Sequence, residues 1–194
     1  MKRTILCMVM SLMTIAGFAQ TNIYARMYGI IGGQVKSIIV ETSGEVSNFD
    51  REGKLISCRL GENELKYSWK GNKVTVSAYQ NGNKLGEEYI TVTNNTAEEV
   101  CLTFSGGTLT ETYRSNGGED KSIISSNGMS MVETCYYRSD SDTYPYKCTF
   151  SFQGETKTIE ISNYQYDVKG NWVRQTTTVD GNSQTDIRTI TYWD

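Results

Sequence analysis

The chain has 194 residues, with 19 Lys and Arg against 22 Asp and Glu, a single proline and no histidine. The missing histidine excludes Ser-His-Asp and Cys-His catalytic arrangements, His-ligated metals and the usual proton shuttle. A modest acidic excess without a basic run argues against nucleic acid, where affinity rests on phosphate neutralisation, and offers nothing to an anionic membrane surface.

Residues Met1 to Ala19 read as a secretory signal peptide. Lys2 and Arg3 supply the positive start, Ile5 to Ala16 are apolar apart from Ser11 and Thr14, and Gly17-Phe18-Ala19 places small residues where a signal peptidase reads them. The apolar run is too short for a transmembrane anchor, which needs about 20 residues. Cys7 sits inside that run without a small residue before it, so it is not a lipid acceptor. The expectation is cleavage before Gln20, leaving 20–194 as one domain with a net charge of about −5, exported to the periplasm or cell surface and not inserted in the membrane.

Four cysteines remain: Cys58, Cys101, Cys135 and Cys148. Outside the cytoplasm an even number reads as disulfides. Cys135 and Cys148 flank a segment whose midpoint falls between Ser141 and Asp142, so a hairpin turning there sets them opposite each other. Cys58 with Cys101 follows only by elimination. No Cys-x-x-Cys pair exists, and with histidine absent no metal site is expected; no cofactor is expected either.

From Gln20 onward the pattern alternates with period two. Residues 20–26 read as a lead-in or an edge strand. Leu65, Tyr67 and Trp69 share one face of a strand, as do Val74, Val76 and Ala78, and then Val100, Leu102 and Phe104. Tyr144, Tyr146, Cys148, Phe150 and Phe152 form the longest stripe. Asn95 to Val100 is the best helix candidate and is too short to be more than a turn. Asn81-Gly82, Asn127-Gly128 and Asp180-Gly181 are hairpin signals, because a primed turn needs positive φ at both central residues. The prediction is an all-β antiparallel meander of repeated β-hairpins, curled into a barrel-like form or left as an extended twisted sheet, with one polar face.

Two turns share a pattern: Phe49-Asp50-Arg51-Glu52-Gly53-Lys54-Leu55 and Tyr166-Asp167-Val168-Lys169-Gly170-Asn171-Trp172. Each resembles the YD (RHS-like) repeat, an aromatic-Asp pair followed by two variable residues, Gly, a polar residue and an apolar one. Arg188-Thr-Ile-Thr-Tyr192 resembles the strand that follows such units in secreted envelope proteins of Gram-negative bacteria. The resemblance implies a β-hairpin array and secretion, and nothing about activity. Within the repeats, Asp50 and Asp167 are expected to bond backbone N–H groups of their own turns. Gly53 and Gly170 serve φ freedom rather than phosphate, since no helix follows.

Glu62 and Glu64, Glu87 and Glu88, and Glu98 and Glu99 read as solvated turn charges rather than the carboxylate pair of a glycosidase. Asp140-Ser-Asp142 lacks the further ligands of a calcium loop and reads as a polar hairpin tip. The feature with functional reach is aromatic: thirteen Tyr and three Trp in an exported β protein. Tyr136, Tyr137, Tyr144 and Tyr146 cluster around one hairpin and Trp172, Tyr192 and Trp193 around the last. These are the candidate stacking platforms or interface anchors. The leading expectation is a non-catalytic binding module for envelope glycan or protein. The alternatives are a structural hairpin protein that pairs its edge strands with itself or a partner, and a carboxylate-based hydrolase.

Overall fold

A computed structural model describes residues 28–30, 32–96, 98–116 and 118–194. The expected signal segment and the lead-in 20–26 lie outside these residues. The described residues form fourteen strands: β1 Val35–Val40, β2 Glu45–Phe49, β3 Leu55–Leu60, β4 Asn63–Lys70, β5 Lys73–Gln80, β6 Asn83–Asn95 and β7 Glu99–Phe104. There follow β8 Gly107–Tyr113, β9 Glu119–Ser126, β10 Met129–Tyr136, β11 Lys147–Phe152, β12 Glu155–Tyr166, β13 Trp172–Val179 and β14 Asn182–Tyr192. Each pairs antiparallel with the next, and β1 pairs with β14 to close the barrel. Closure leaves no edge strand among the described residues, which weighs against edges recruiting a partner by strand addition.

The two ends of the barrel differ. At one end the connections are tight. Asn81-Gly82, Asn127-Gly128, Gln153-Gly154 and Asp180-Gly181 all have positive φ at both positions, as primed turns demand. At the other end lie the two aspartate turns, the loops 114–118 and 137–146, and the segment that leads into β1. Tyr144 and Tyr146, expected on a strand stripe, lie instead in the 137–146 loop, because β11 begins only at Lys147.

Alternation sorts the wall into two faces. On β4, Leu65, Tyr67 and Trp69 point inward between outward Glu64, Lys66, Ser68 and Lys70. On β8 the outward set is Thr108, Thr110 and Thr112, and on β12 it includes Thr156, Thr158 and Glu160. Fourteen strands enclose more than side chains of a round barrel can fill, and the core is lopsided. Its main contiguous cluster of buried aliphatic and aromatic residues comes from the leading segment and β1–β9, among them Ile30, Phe49, Val76, Val100 and Leu109, while Trp172 and Tyr144 are buried apart from it. Each such side chain contributes roughly 1.5–3 kcal/mol. The inner faces of β10–β13 stand beside a cavity of about 420 Å³ lined by Met131, Phe150, Lys157, Ile159, Gln175 and Val179, among others.

Candidate functional site

The two aspartate turns are built alike. Asp50 Oδ1 accepts the N–H groups of Glu52 (2.8 Å) and Lys54 (2.9 Å), while Asp167 Oδ1 accepts those of Lys169 (2.9 Å) and Asn171 (3.0 Å). Gly53 and Gly170 take positive φ to complete each turn. Both aspartates therefore do what local chemistry predicts, and the apolar residues bracketing them, Phe49 and Trp172, are fully buried.

The second turn does more, because it holds the leading segment in the barrel's mouth. Asn171 is fully buried: its Oδ1 accepts Gly32 N–H (3.1 Å) and its Nδ2 donates to Gly32 O (2.7 Å) and to the Tyr192 hydroxyl (2.6 Å). Tyr192 in turn donates to Asp167 Oδ2. A Cβ at Gly32 would sit 2.5 Å from Lys169 O, so only glycine fits there. Arg188, buried on β14, donates to the carbonyls of Trp172, Tyr28 and Gly29. Burial pulls its guanidinium down to about 9, and the three carbonyls with the Trp172 ring face are what hold its charge in place.

Beside this mouth lies a groove of about 700 Å³, with Arg138, Asp142, Tyr146, Asn163, Tyr164 and Tyr166 in its lining. The 137–146 loop forms one bank, held by Tyr164 Oη donating to Pro145 O (2.9 Å). The other bank is the end of β12, where the ladder slips between Ser162 and Gln165 and Asn163 takes φ 55°. That bulge turns Tyr164 and Tyr166 against Tyr144. The three rings lie 5.4–5.9 Å apart with interplanar angles of 14–30°. Tyr144 is buried and shares its proton between Gly29 O (3.3 Å) and Gly170 O (3.2 Å). Burial raises the hydroxyls of Tyr144 and Tyr164, so both stay neutral donors. Tyr166 is 52% exposed and offers its ring to solvent.

The seven aromatic residues singled out in the sequence do not form one site. Tyr144 and Tyr146 reach the groove. Tyr136 is on the outer wall under Lys147, and Tyr137 is tied to Glu119 O (2.7 Å) beneath Arg114. Trp172 is corrected from platform to core: its face is covered by the Arg188 guanidinium at 3.6 Å. Tyr192 is a strut for Asp167. Trp193 donates to Asp50 O (3.2 Å) between Lys36 and Arg51, and so bridges the two aspartate turns' surroundings. Tyr164 and Tyr166 completed the groove without having been singled out as ligand-binding; the signal was the bulge residue Asn163 just before them. At the loop tip, Asp142 accepts from Ser139 and Asp140 pairs with Arg114, a closed polar tip.

A second group sits inside the barrel. Cys135 and Cys148 are ladder partners on β10 and β11, free thiols with sulfurs 2.8 Å apart, and Glu133 Oε1 is 3.8 Å from the Cys135 sulfur. Glu111, Ser122 and Glu133 are register partners across β8, β9 and β10, and the Glu119 carboxyl lies near them. Burial raises Glu111 and Glu133 each to about 7, and raises Glu119 well above the usual carboxylate range. Period-two parity was the available signal: Leu109-x-Glu111-x-Tyr113 and Met131-x-Glu133-x-Cys135 each set a carboxylate on the inward face. Cys58 and Cys101 are not brought together. The former is buried inside on β3, while the latter faces outward on β7 beside Thr110, so elimination gave the wrong partner.

No family model matches the sequence, and no curated protein matches it. Among solved structures the chain is similar to a porin-like protein from Bacteroides vulgatus, at 12% identity and a TM-score of 0.45, over 82% of this chain and 99% of that one.

Proposed function

We propose that the chain is an exported, non-catalytic binding module of the bacterial envelope whose ligand is a glycan held in the Tyr144–Tyr164–Tyr166 groove. The observation that carries this reading is the half-exposed Tyr166 ring, backed by two nearly parallel rings and flanked by Asn163, Asp142 and Arg138. A rigid apolar face with planar polar groups at its edge suits a sugar ring, whose C–H face stacks while its hydroxyls bond at the rim. Export is supported by the Met1–Ala19 pattern.

A lipid-facing wall needs an apolar outer band; on the outward faces here Thr, Ser, Lys and Glu outnumber apolar residues such as Ile39, Tyr89, Val132 and Tyr136, which supports reading the barrel as water-exposed. Hydrolysis by a carboxylate pair needs two carboxyls flanking the substrate. Of Glu111, Glu119 and Glu133, only Glu133 lines the inner cavity.

The test is titration of the purified chain with bacterial, plant and host oligosaccharides by calorimetry. Saturable binding that Tyr166→Ala weakens about tenfold or more, with an unchanged circular dichroism spectrum, is the expected result. Binding unaffected by that substitution, or none across the panel, overturns the reading.

A further inference from the structure

The inner cavity leads to a group of side chains that the groove does not use. Glu133 and Cys148 line the cavity, and Cys135 lies directly behind Cys148 across the ladder. The two sulfurs and a Glu133 carboxylate oxygen all lie within 4.8 Å of one another. The set arises from sheet geometry: Glu133 and Cys135 are two residues apart on one strand face, and register brings Cys148 opposite. A sheet thus assembles from three residues what a Cys-x-x-Cys turn does by proximity in sequence.

We propose that Cys135, Cys148 and Glu133 bind a thiophilic divalent cation, Zn²⁺ being the best fit, admitted through the cavity bounded by β10–β13. Two thiolates and a carboxylate are a familiar donor set for such an ion, with Zn–S near 2.3 Å and Zn–O near 2.0–2.2 Å. Tetrahedral angles at those lengths separate the sulfurs by about 3.8 Å, so side-chain rotation must open the present 2.8 Å gap by about an ångström. Glu119, 5% exposed, lies outside this set of three but close enough to feel the charge of Glu133 and Cys148, so the fourth position falls to it only if its side chain swings in, and otherwise to water.

Charge favours the same occupant. No ion pair reaches Glu111, Glu119 or Glu133 among the described residues. A carboxylate or thiolate held in a dry interior without a cation carries a solvation cost. A dication reverses that balance: the thiol protons leave to solvent and the ligands bind as anions. This inference is independent of the groove, so either reading can fail alone.

The experiment uses the metal-stripped, freshly purified chain and Co²⁺ as the probe. One equivalent is expected to produce a thiolate-to-cobalt charge-transfer band and tetrahedral d–d absorption, both bleached by one equivalent of Zn²⁺. Cys135→Ser and Cys148→Ser should each weaken binding at least 100-fold and Glu133→Gln about tenfold, whereas Cys58→Ser and Cys101→Ser leave it unchanged. Should the cysteine variants fail to fold, alkylation of the unsubstituted chain decides: Zn²⁺ should shield Cys135 and Cys148 but not Cys101. Absence of the charge-transfer band, its survival in the doubly substituted chain, or a covalent Cys135–Cys148 bond in protein isolated from an oxidising compartment overturns the proposal.

Discussion

Arg188 lies face-on to Trp172, its guanidinium carbon 3.6 Å from the ring centroid, while its nitrogens bond the carbonyl of that same tryptophan and two carbonyls of the leading segment. One side chain thus joins β14, the start of β13 and the plug at Tyr28–Gly29. Arg188→Met should destabilise the fold by at least about 3 kcal/mol, because buried carbonyls lose their donors. Arg188→Lys should not restore it, since an ammonium cannot span three acceptors as a planar fork does. Denaturant unfolding measures both.

Asp50→Ala and Asp167→Ala separate the local role of the motif from its wider one. Each removes two backbone bonds, a loss of about 1–2 kcal/mol. Asp167→Ala also unseats Tyr192, and through it Asn171 and Gly32. It should therefore exceed Asp50→Ala by about 1 kcal/mol in the same unfolding measurement.

Tyr166→Ala and Trp172→Ala should part company. The first removes a half-exposed ring, leaves stability within about 1 kcal/mol, and weakens glycan binding about tenfold or more, which calorimetry reads. The second empties a fully buried site and should cost about 3–5 kcal/mol.

Glu111 gives the chain a pH dependence of known sign. It faces Tyr113, Ser122, Glu119 and Glu133, and accepts a bond from the Tyr113 hydroxyl. Burial raises its folded value from 4.5 to about 7, so the native state keeps a proton that the unfolded chain has released. That contribution is present below about pH 4.5 and is lost as pH rises through about 7, an amount on the order of 3 kcal/mol. Melting temperatures of the metal-free chain should fall over that window, and Glu111→Gln should flatten the slope.

The strand pattern and the turns were legible because both are local. Alternation names the inward faces of β4, β5 and β7, and Asn-Gly or Asp-Gly marks the tight end, since positive φ is a property of the turn itself. The Cys135–Cys148 register followed from equal arm lengths around the hairpin. What escaped was set by closure. Nothing near Trp172 in the sequence announces Arg188, which meets it through the β13–β14 ladder, and nothing near Asn171 announces Gly32. The buried carboxylates Glu111 and Glu133 were legible in parity but were not singled out, because only the carboxylates at turns were weighed. The stripe from Tyr144 to Phe152 misled because Tyr144 and Tyr146 keep strand spacing inside a loop.

Closing the wall between the first strand and the last has a kinetic meaning. Ile38 must find Ile190, so the seam cannot zip until nearly all of the chain has been made, and such distant pairing is slow. Until then both terminal strands carry bare backbone, the condition in which β proteins clump. The chain should accordingly refold slowly, with losses that grow with concentration, and substitutions along the seam should change yield more than they change the finished protein's melting temperature.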